Sequence, residues 1–291
     1  MNVGERIKQL RLSKMMTQSD LAGDQITRNM LSCIEHGTAS PSLSTVSYLA
    51  RRLNVPVGFL LAEEQDGFFY RKMMEMPNIL HAFTKRDFDG CLARIAALGE
   101  ALDDELRLLR AECEYGRGER ALLEGRLRFA ASAFDRALLA AKETVYDTEW
   151  LRSRVAVCFR YLTGLSLTLV SDVLDTEEVE CARASGEILC DYISAAECSE
   201  DAVLERFLAR YAGSTFAARL SVRLLMRRGE YAAAAAACEQ LLAREDLTTG
   251  LLLYEVFGDM EECCRENDDY KRAYEFGTSR LELIERFLEE L

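Results

Sequence analysis

No proline occurs between residues 78 and 291; the three prolines of the chain stand at 41, 56 and 77. Proline is the residue a helix interior tolerates least, at a cost of about 3 kcal/mol. A long proline-free run rich in Ala, Leu, Glu and Arg is therefore predicted to be helical, and the expected fold class is all-α. With 291 residues, 49% of them hydrophobic, the chain has core enough for about two domains. No run of about 18 apolar residues is present, so a membrane is not an expected partner. The N-terminal "MNVGERIKQLRLSK" is amphipathic and lacks the apolar centre of a signal peptide, so the expected location is the cytoplasm.

Ten cysteines are scattered from Cys33 to Cys264 with no C-x-x-C pair, and the histidines are His36 and His81 alone. Zinc sites need close ligand pairs, so neither a metal nor another cofactor is expected. Isolated cysteines of this kind serve as small buried apolar residues, and the vicinal Cys263-Cys264 is the single redox candidate. No glycine-rich phosphate loop and no nucleophile beside a base is evident, which argues against an enzyme.

Charge divides the chain. Residues 1–62 hold seven basic side chains against four acidic ones, a net of +3. With −13 overall, the remainder carries −16. A basic head on an acidic body implies a polyanionic partner for the head alone.

The head reads as five short helices. The first covers about 3–14, with Ile7 and Leu10 on one face. Thr17 with Asp20 has capping-box spacing and opens a second helix that Gly23 interrupts. Thr27 can cap a third, with Leu31 and Ile34 inward, His36 in the last turn and Gly37 at its end. Ser40-Pro41 is read as the cap of a fourth helix to about Leu53, burying Leu43, Val46 and Leu49, before a final turn "VGFLL".

Over residues 3–62 the motif set T-Q-x-x-L-A, I-E-x-G, P-S-x-x-T and L-A-x-x-L-x-V-P resembles the Cro/repressor-type (Xre), lambda-repressor-like helix-turn-helix domain. The resemblance implies double-stranded DNA as partner. It makes Gln18 a phosphate clamp and places Arg28, Asn29, Ser32 and Cys33 at base-facing positions. Side-chain chemistry agrees, since Arg pairs bidentately with guanine and Asn with adenine in the major groove. Thr17, Thr27, Thr38 and Ser40 add hydroxyls and helix N-termini suited to phosphate oxygens. Between Leu21-Ala22 and Glu35 the chain is one residue shorter than the usual pattern, so a tighter turn is expected.

The body carries a weak repeat in which a ring or large apolar residue precedes a small one by three positions. It is seen at Phe88/Cys91, at Leu127/Ala130 with Phe134 and Ala137, at Tyr231/Ala234 with Cys238, and at Tyr270/Ala273. "GRLRFAASAFDRA" resembles the second helix of a tetratricopeptide repeat, and further units have room around "TEEVECARASGEIL". The domain expectation is a head at 1–64, a linker helix at 65–77 and a helical repeat array at 78–291. "FFYRKMMEM" is too apolar for a free tether. The C-terminal "TSRLELIERFLEEL" presents Leu281, Ile284 and Leu288 at helical spacing, and both stretches are candidate dimer seams.

A head of this type on a repeat body resembles the peptide-responsive regulators of Gram-positive bacteria. The expected function is a sequence-specific transcription regulator, homodimeric because one head covers only a short half-site. The expected effector is a short peptide or small molecule. Residues 66–291 offer only Asn78, Asn267 and Gln240 as amides for gripping a peptide backbone. The alternative is a helical-repeat scaffold that recruits a partner protein, with DNA binding secondary.

Overall fold

The computed structural model describes residues 2–62, 67–99, 102–244, 247 and 250–289. The expected boundary at 64/65 lies outside them. The described residues form α-helices and no strand, and none of the helices is long and apolar enough to cross a membrane. Two compact units emerge, 1–81 and 82–291.

The first unit contains α1 (Val3–Ser13), α2 (Gln18–Ala22), α3 (Arg28–Glu35), α4 (Leu43–Arg52) and α5 (Val57–Leu61). Side-chain caps set the starts of α1 to α4. Asn2 with Glu5 and Thr17 with Asp20 form reciprocal capping boxes, and Thr27 Oγ1 accepts from Met30 N. Gly23, at φ 54°, closes α2 in a conformation that costs glycine least. The core joins Ile7, Leu21, Leu31, Ile34, Val46, Leu49, Leu53 and Leu60. Gly4 permits the α1–α3 contact, because a Cβ there would stand 1.9 Å from the carbonyl oxygen of Ile34.

One cap differs from the sequence reading. Ser42, not Ser40, caps α4, its hydroxyl accepting from Thr45 N at 3.2 Å. Pro41 then lies before the cap, and Leu43 becomes the first helical residue, 67% exposed rather than buried. Two serines flank the proline, and the one three residues before Thr45 has the capping geometry.

α6 (Gly67–Thr84) runs on through Pro77. Its Tyr70 ring packs edge-on against Phe59 of α5 at 5.7 Å, while Phe69 is mostly exposed.

The second unit is built from α7 (Phe88–Ala97), α8 (Asp104–Glu124), α9 (Leu127–Lys142), α10 (Glu149–Leu165), α11 (Thr176–Cys181), α12 (Ile188–Glu197), α13 (Asp201–Arg210), α14 (Thr215–Arg227), α15 (Tyr231–Leu242), α16 (Leu251–Glu266) and α17 (Tyr270–Glu289). All four repeat phrases open a helix. Phe88, Leu127, Tyr231 and Tyr270 are the first residues of α7, α9, α15 and α17. The small residue three positions on (Cys91, Ala130, Ala234, Ala273) is buried each time. In α9, α15 and α17 the phrase marks the second helix of a pair, where a small side chain lets the first helix approach, whereas α7 packs on α8, which follows it. Phe134 is fully buried and meets Gly118 of α8, where a Cβ would lie 2.6 Å from its ring. Between α10 and α12 the regularity lapses into the six-residue α11 and irregular chain.

The last hairpin returns to the α8–α9 pair. The Phe287 ring lies over Gly125, and Gly250 lies against the Leu123 carbonyl. In its second half α17 buries Leu283 and Phe287, with Ile284 and Leu288 packed beside them. Leu281, read from the sequence as part of that apolar face, is 64% exposed.

A carboxyl pair gives this unit a pH dependence. Glu119 of α8 is nine-tenths buried and receives a hydrogen bond from Arg86. Burial, together with a hydrogen bond to Glu187 at the start of α12, pushes its carboxyl up to about 7. Burial also opposes ionisation of Glu187, but hydrogen bonds from Glu119 and the Cys190 backbone outweigh it and hold that carboxyl low. Glu119 thus keeps the proton and donates it to Glu187. A carboxyl raised in the folded state contributes stability that is full below its unfolded value and is lost as pH rises through about 7. Thermal denaturation is expected to show this contribution falling from the unfolded carboxyl value up to about pH 7, with a slope of up to about 1.4 kcal/mol per pH unit, and levelling off above. Glu119→Gln should flatten that slope.

Candidate nucleic-acid interface

α3 has two faces. Leu31, Ile34 and Glu35 are buried, while Arg28, Asn29 and Cys33 are exposed and Ser32 is half-buried. The exposed set recurs at i, i+1, i+4 and i+5, one side of a helix. Thr27 caps the first turn, its hydroxyl accepting from Met30 N at 3.1 Å, so the preceding chain is pinned where Arg28 and Asn29 begin. The shortened α2–α3 connection is the segment 23–27, with Tyr48 Oη donating to the Ala22 carbonyl at 2.9 Å beneath it. All four expected base-facing residues thus share one helix, with Arg28 and Asn29 on its first turn.

The expected phosphate residues are less uniform. Thr17 caps α2 and Gln18 is its first residue. Thr38 Oγ1 donates to the Cys33 carbonyl at 3.0 Å, which secures the chain just beyond α3, and Ser40 is exposed. Gln18 Nε2 donates to Glu35 Oε2 at 2.9 Å. The amide is therefore oriented by the helix it is expected to help dock.

Behind Gln18 lies an ion pair that the sequence did not reveal. Arg11 of α1 meets Glu35 bidentately, Nε to Oε1 at 2.7 Å and Nη2 to Oε2 at 2.9 Å. Its Nη1 also donates to the Met16 carbonyl at 2.9 Å. Burial opposes ionisation of Glu35, but hydrogen bonds from Arg11 and Gln18 outweigh it and hold the carboxyl below its ordinary range. Arg6 Nη1 reaches the carbonyls of Phe59, Leu60 and Ala62 and binds α1 to the end of α5. Glu35 entered the sequence reading only as part of I-E-x-G, and nothing in the sequence named its partner 24 residues away.

The family model described as helix-turn-helix matches residues 7–60. No curated protein matches the chain. Among solved structures the chain is similar to Bacillus thuringiensis PlcR in complex with the peptide PapR7 and DNA, at 13% identity, 99% coverage of both chains and a TM-score of 0.25. It is also similar to ComR from S. thermophilus in complex with DNA and its signalling peptide ComS, at 18% identity, 96% of this chain, 99% of that one and a TM-score of 0.26. A third is the Streptococcus dysgalactiae SHP pheromone receptor Rgg2, at 14% identity, 82% and 98% coverage and a TM-score of 0.21. TM-scores this low decide nothing about the site. The motif set, the five helices and the family match agree on the first unit: the chain carries an N-terminal helix-turn-helix DNA-binding domain of the Xre type.

Proposed function

We propose that this chain is a sequence-specific transcription regulator that reads DNA through α3, dimerises through its helical body and responds to an effector held there. The observation that carries the first part is the exposed Arg28-Asn29 turn on a helix whose opposite face is locked into the head. Arg28 and Asn29 take base edges, Ser32 and Cys33 follow one turn later, and Gln18, Thr17, Thr27, Thr38 and Ser40 take phosphates. The Gln18 amide has two donors; one is spent on Glu35 and the other serves the backbone.

The dimer reading rests on α17. Tyr270, Tyr274, Gly277 and Leu281 recur at intervals of four, three and four, and the three large side chains are 64%, 77% and 64% exposed. They line a groove of about 690 Å³ with Ala273 and Ile284. This is the spacing of a helix-pairing seam, with glycine at its middle for close approach. Tyr274→Arg with Leu281→Arg is expected to convert the full-length protein from dimer to monomer in sedimentation and to weaken DNA binding. Sedimentation as a dimer after both changes would remove α17 as the seam.

For the effector, the supporting feature is a polar cleft of about 380 Å³ lined by Arg160, Tyr161, Glu197, Arg223, Tyr254 and Arg280, among others. Its described lining holds no side-chain amide, so charged groups and hydroxyls must do the gripping. Arg280 Nε is buried there without a hydrogen-bond partner, a donor suited to a ligand oxygen. Mass measurement of molecules that copurify with the native protein tests this. A bound peptide or small molecule supports the sensor, whereas a stoichiometric partner protein favours the scaffold.

A further inference from the structure

A second cavity, of about 320 Å³, opens in the second unit between α8 and the start of α10. Helical spacing builds its lining. Glu112, Tyr115, Gly116 and Glu119 fall at i, i+3, i+4 and i+7 on one face of α8, and Trp150 and Arg154 lie one turn apart on α10. Four rings form the walls: Tyr115, Trp150, and the edge-to-face pair Phe83 and Phe88, whose centroids are 6.2 Å apart. Gly116 lets Phe88 lie against α8, because a Cβ there would stand 2.3 Å from the ring. None of these residues lines the polar cleft that holds Arg280. We propose that this cavity binds a free α-amino acid with an aromatic side chain, its ammonium on Glu112 and its carboxylate on Arg154.

The charges in the lining select that chemistry. Arg86 is spent on Glu119, and Glu187 accepts from Cys190 N at 3.0 Å. Glu112 and Arg154 are open. Both are half-buried, and among the described residues their side chains make no hydrogen bond and no ion pair, with each other or with a neighbour. The Arg154 guanidinium lies over the Trp150 ring, 4.9 Å from its centroid. Stacking occupies the guanidinium face and leaves its N–H edge free to grip a carboxylate bidentately. Burial pushes the Glu112 carboxyl above its ordinary range, and the Arg154 charge opposes this from a distance. A ligand ammonium, with three donors and a positive charge, supplies the partner that Glu112 lacks.

An α-amino acid answers both groups at once, since it carries a cation and an anion on one carbon. Glu112 and Arg154 face one space without closing on each other, and the ligand bridges them. A simple amine would leave Arg154 unmatched, and a simple carboxylic acid would leave Glu112 so. A peptide sets its two termini too far apart to serve both. The volume stands near the lower end of the range for ligand pockets, roughly 300–1,000 Å³, which suits a single residue. The ring walls favour an aromatic side chain, which can pack edge-to-face or offset against them.

Trp150 is the single tryptophan of the chain, so its fluorescence reports on this cavity alone. The test titrates the full-length protein with L-phenylalanine and follows that signal, with calorimetry for L-phenylalanine, L-tyrosine and L-tryptophan. A saturable response is expected. N-acetyl-L-phenylalanine, which lacks the ammonium, and L-phenylalaninamide, which lacks the carboxylate, should each bind weaker by about tenfold or more. Glu112→Gln should erase the difference between L-phenylalanine and the acetylated probe, and Arg154→Gln the difference between L-phenylalanine and the amide. No saturable response to any of the three amino acids would overturn the proposal. So would equal affinity for L-phenylalanine and both derivatives, or differences that survive in both variants. The comparison of probes on the unaltered protein decides this even if a variant fails to fold.

Discussion

Glu35→Ala is expected to unfold the N-terminal unit under conditions where the rest of the chain stays folded. The substitution leaves the Arg11 guanidinium buried with no counter-ion and only the Met16 carbonyl as a partner, and removing one partner of a buried pair costs about 3–5 kcal/mol. A unit of this size has little stability to lose, since small domains bury a modest share of their surface. The carboxylate also holds Gln18, so the loss spreads to the α2 start. Hydrogen exchange read peptide by peptide should show protection lost across α1 to α5 and kept in α8 to α17. Gln18→Ala, which leaves the pair intact, should keep the head folded. Acid acts in the same direction: Glu35 is held low in the fold, so its contribution is present above the unfolded value and is lost as pH falls through the folded one. Unchanged head protection in Glu35→Ala would mean that the pair does not hold α1 to α3.

The second large effect is expected in the body. Arg219 of α14 is buried and meets Asp259 of α16 through Nε at 2.8 Å and Nη2 at 3.1 Å. Its Nη1 donates to Tyr192 Oη of α12 at 2.6 Å and stands 3.2 Å from Glu255 of α16. Glu255 in turn accepts from Tyr161 of α10 at 2.6 Å and from Tyr192. One cation thus ties four helices together, every partner charged or hydroxylic. Asp259→Ala removes the bidentate anchor from a guanidinium that is largely buried. A loss of about 3–5 kcal/mol is expected, as for other broken buried pairs. Asp259→Asn keeps an acceptor and should cost less. Chemical denaturation of the three proteins checks the order. Equal stability of Asp259→Ala and the parent would mean that Glu255 alone neutralises Arg219.

These two networks show where sequence reading stops. The helical class followed from local chemistry: proline absent after 77, and hydroxyl caps at Thr17 and Thr27 with the acidic or amide partner in reach. The repeat phrase was legible because a ring and a small residue three apart lie on one turn of one helix. Arg11 with Glu35, and Arg219 with Asp259, are separated by 24 and 40 residues. An isolated arginine in a charge-rich chain looks like any solvated one until the fold buries it. The Ser40 reading failed on a narrower point, two serines flanking one proline with a single cap between them. At the candidate site on α3, the residue types and their common helix could be read from the motif. The coupling of Gln18 to Glu35 could not.

The most direct measurement is selection of preferred DNA sites from a random pool with the full-length protein and three variants. Arg28→Ala and Asn29→Ala should each relax base preference at distinct positions, by about 1–3 kcal/mol if the contacts are bidentate. Gln18→Ala should lower affinity for all sequences about equally and reduce the salt dependence, as loss of a phosphate contact does. Site preferences unchanged in both the Arg28 and Asn29 variants, with the head still folded, would contradict α3 as the reading helix.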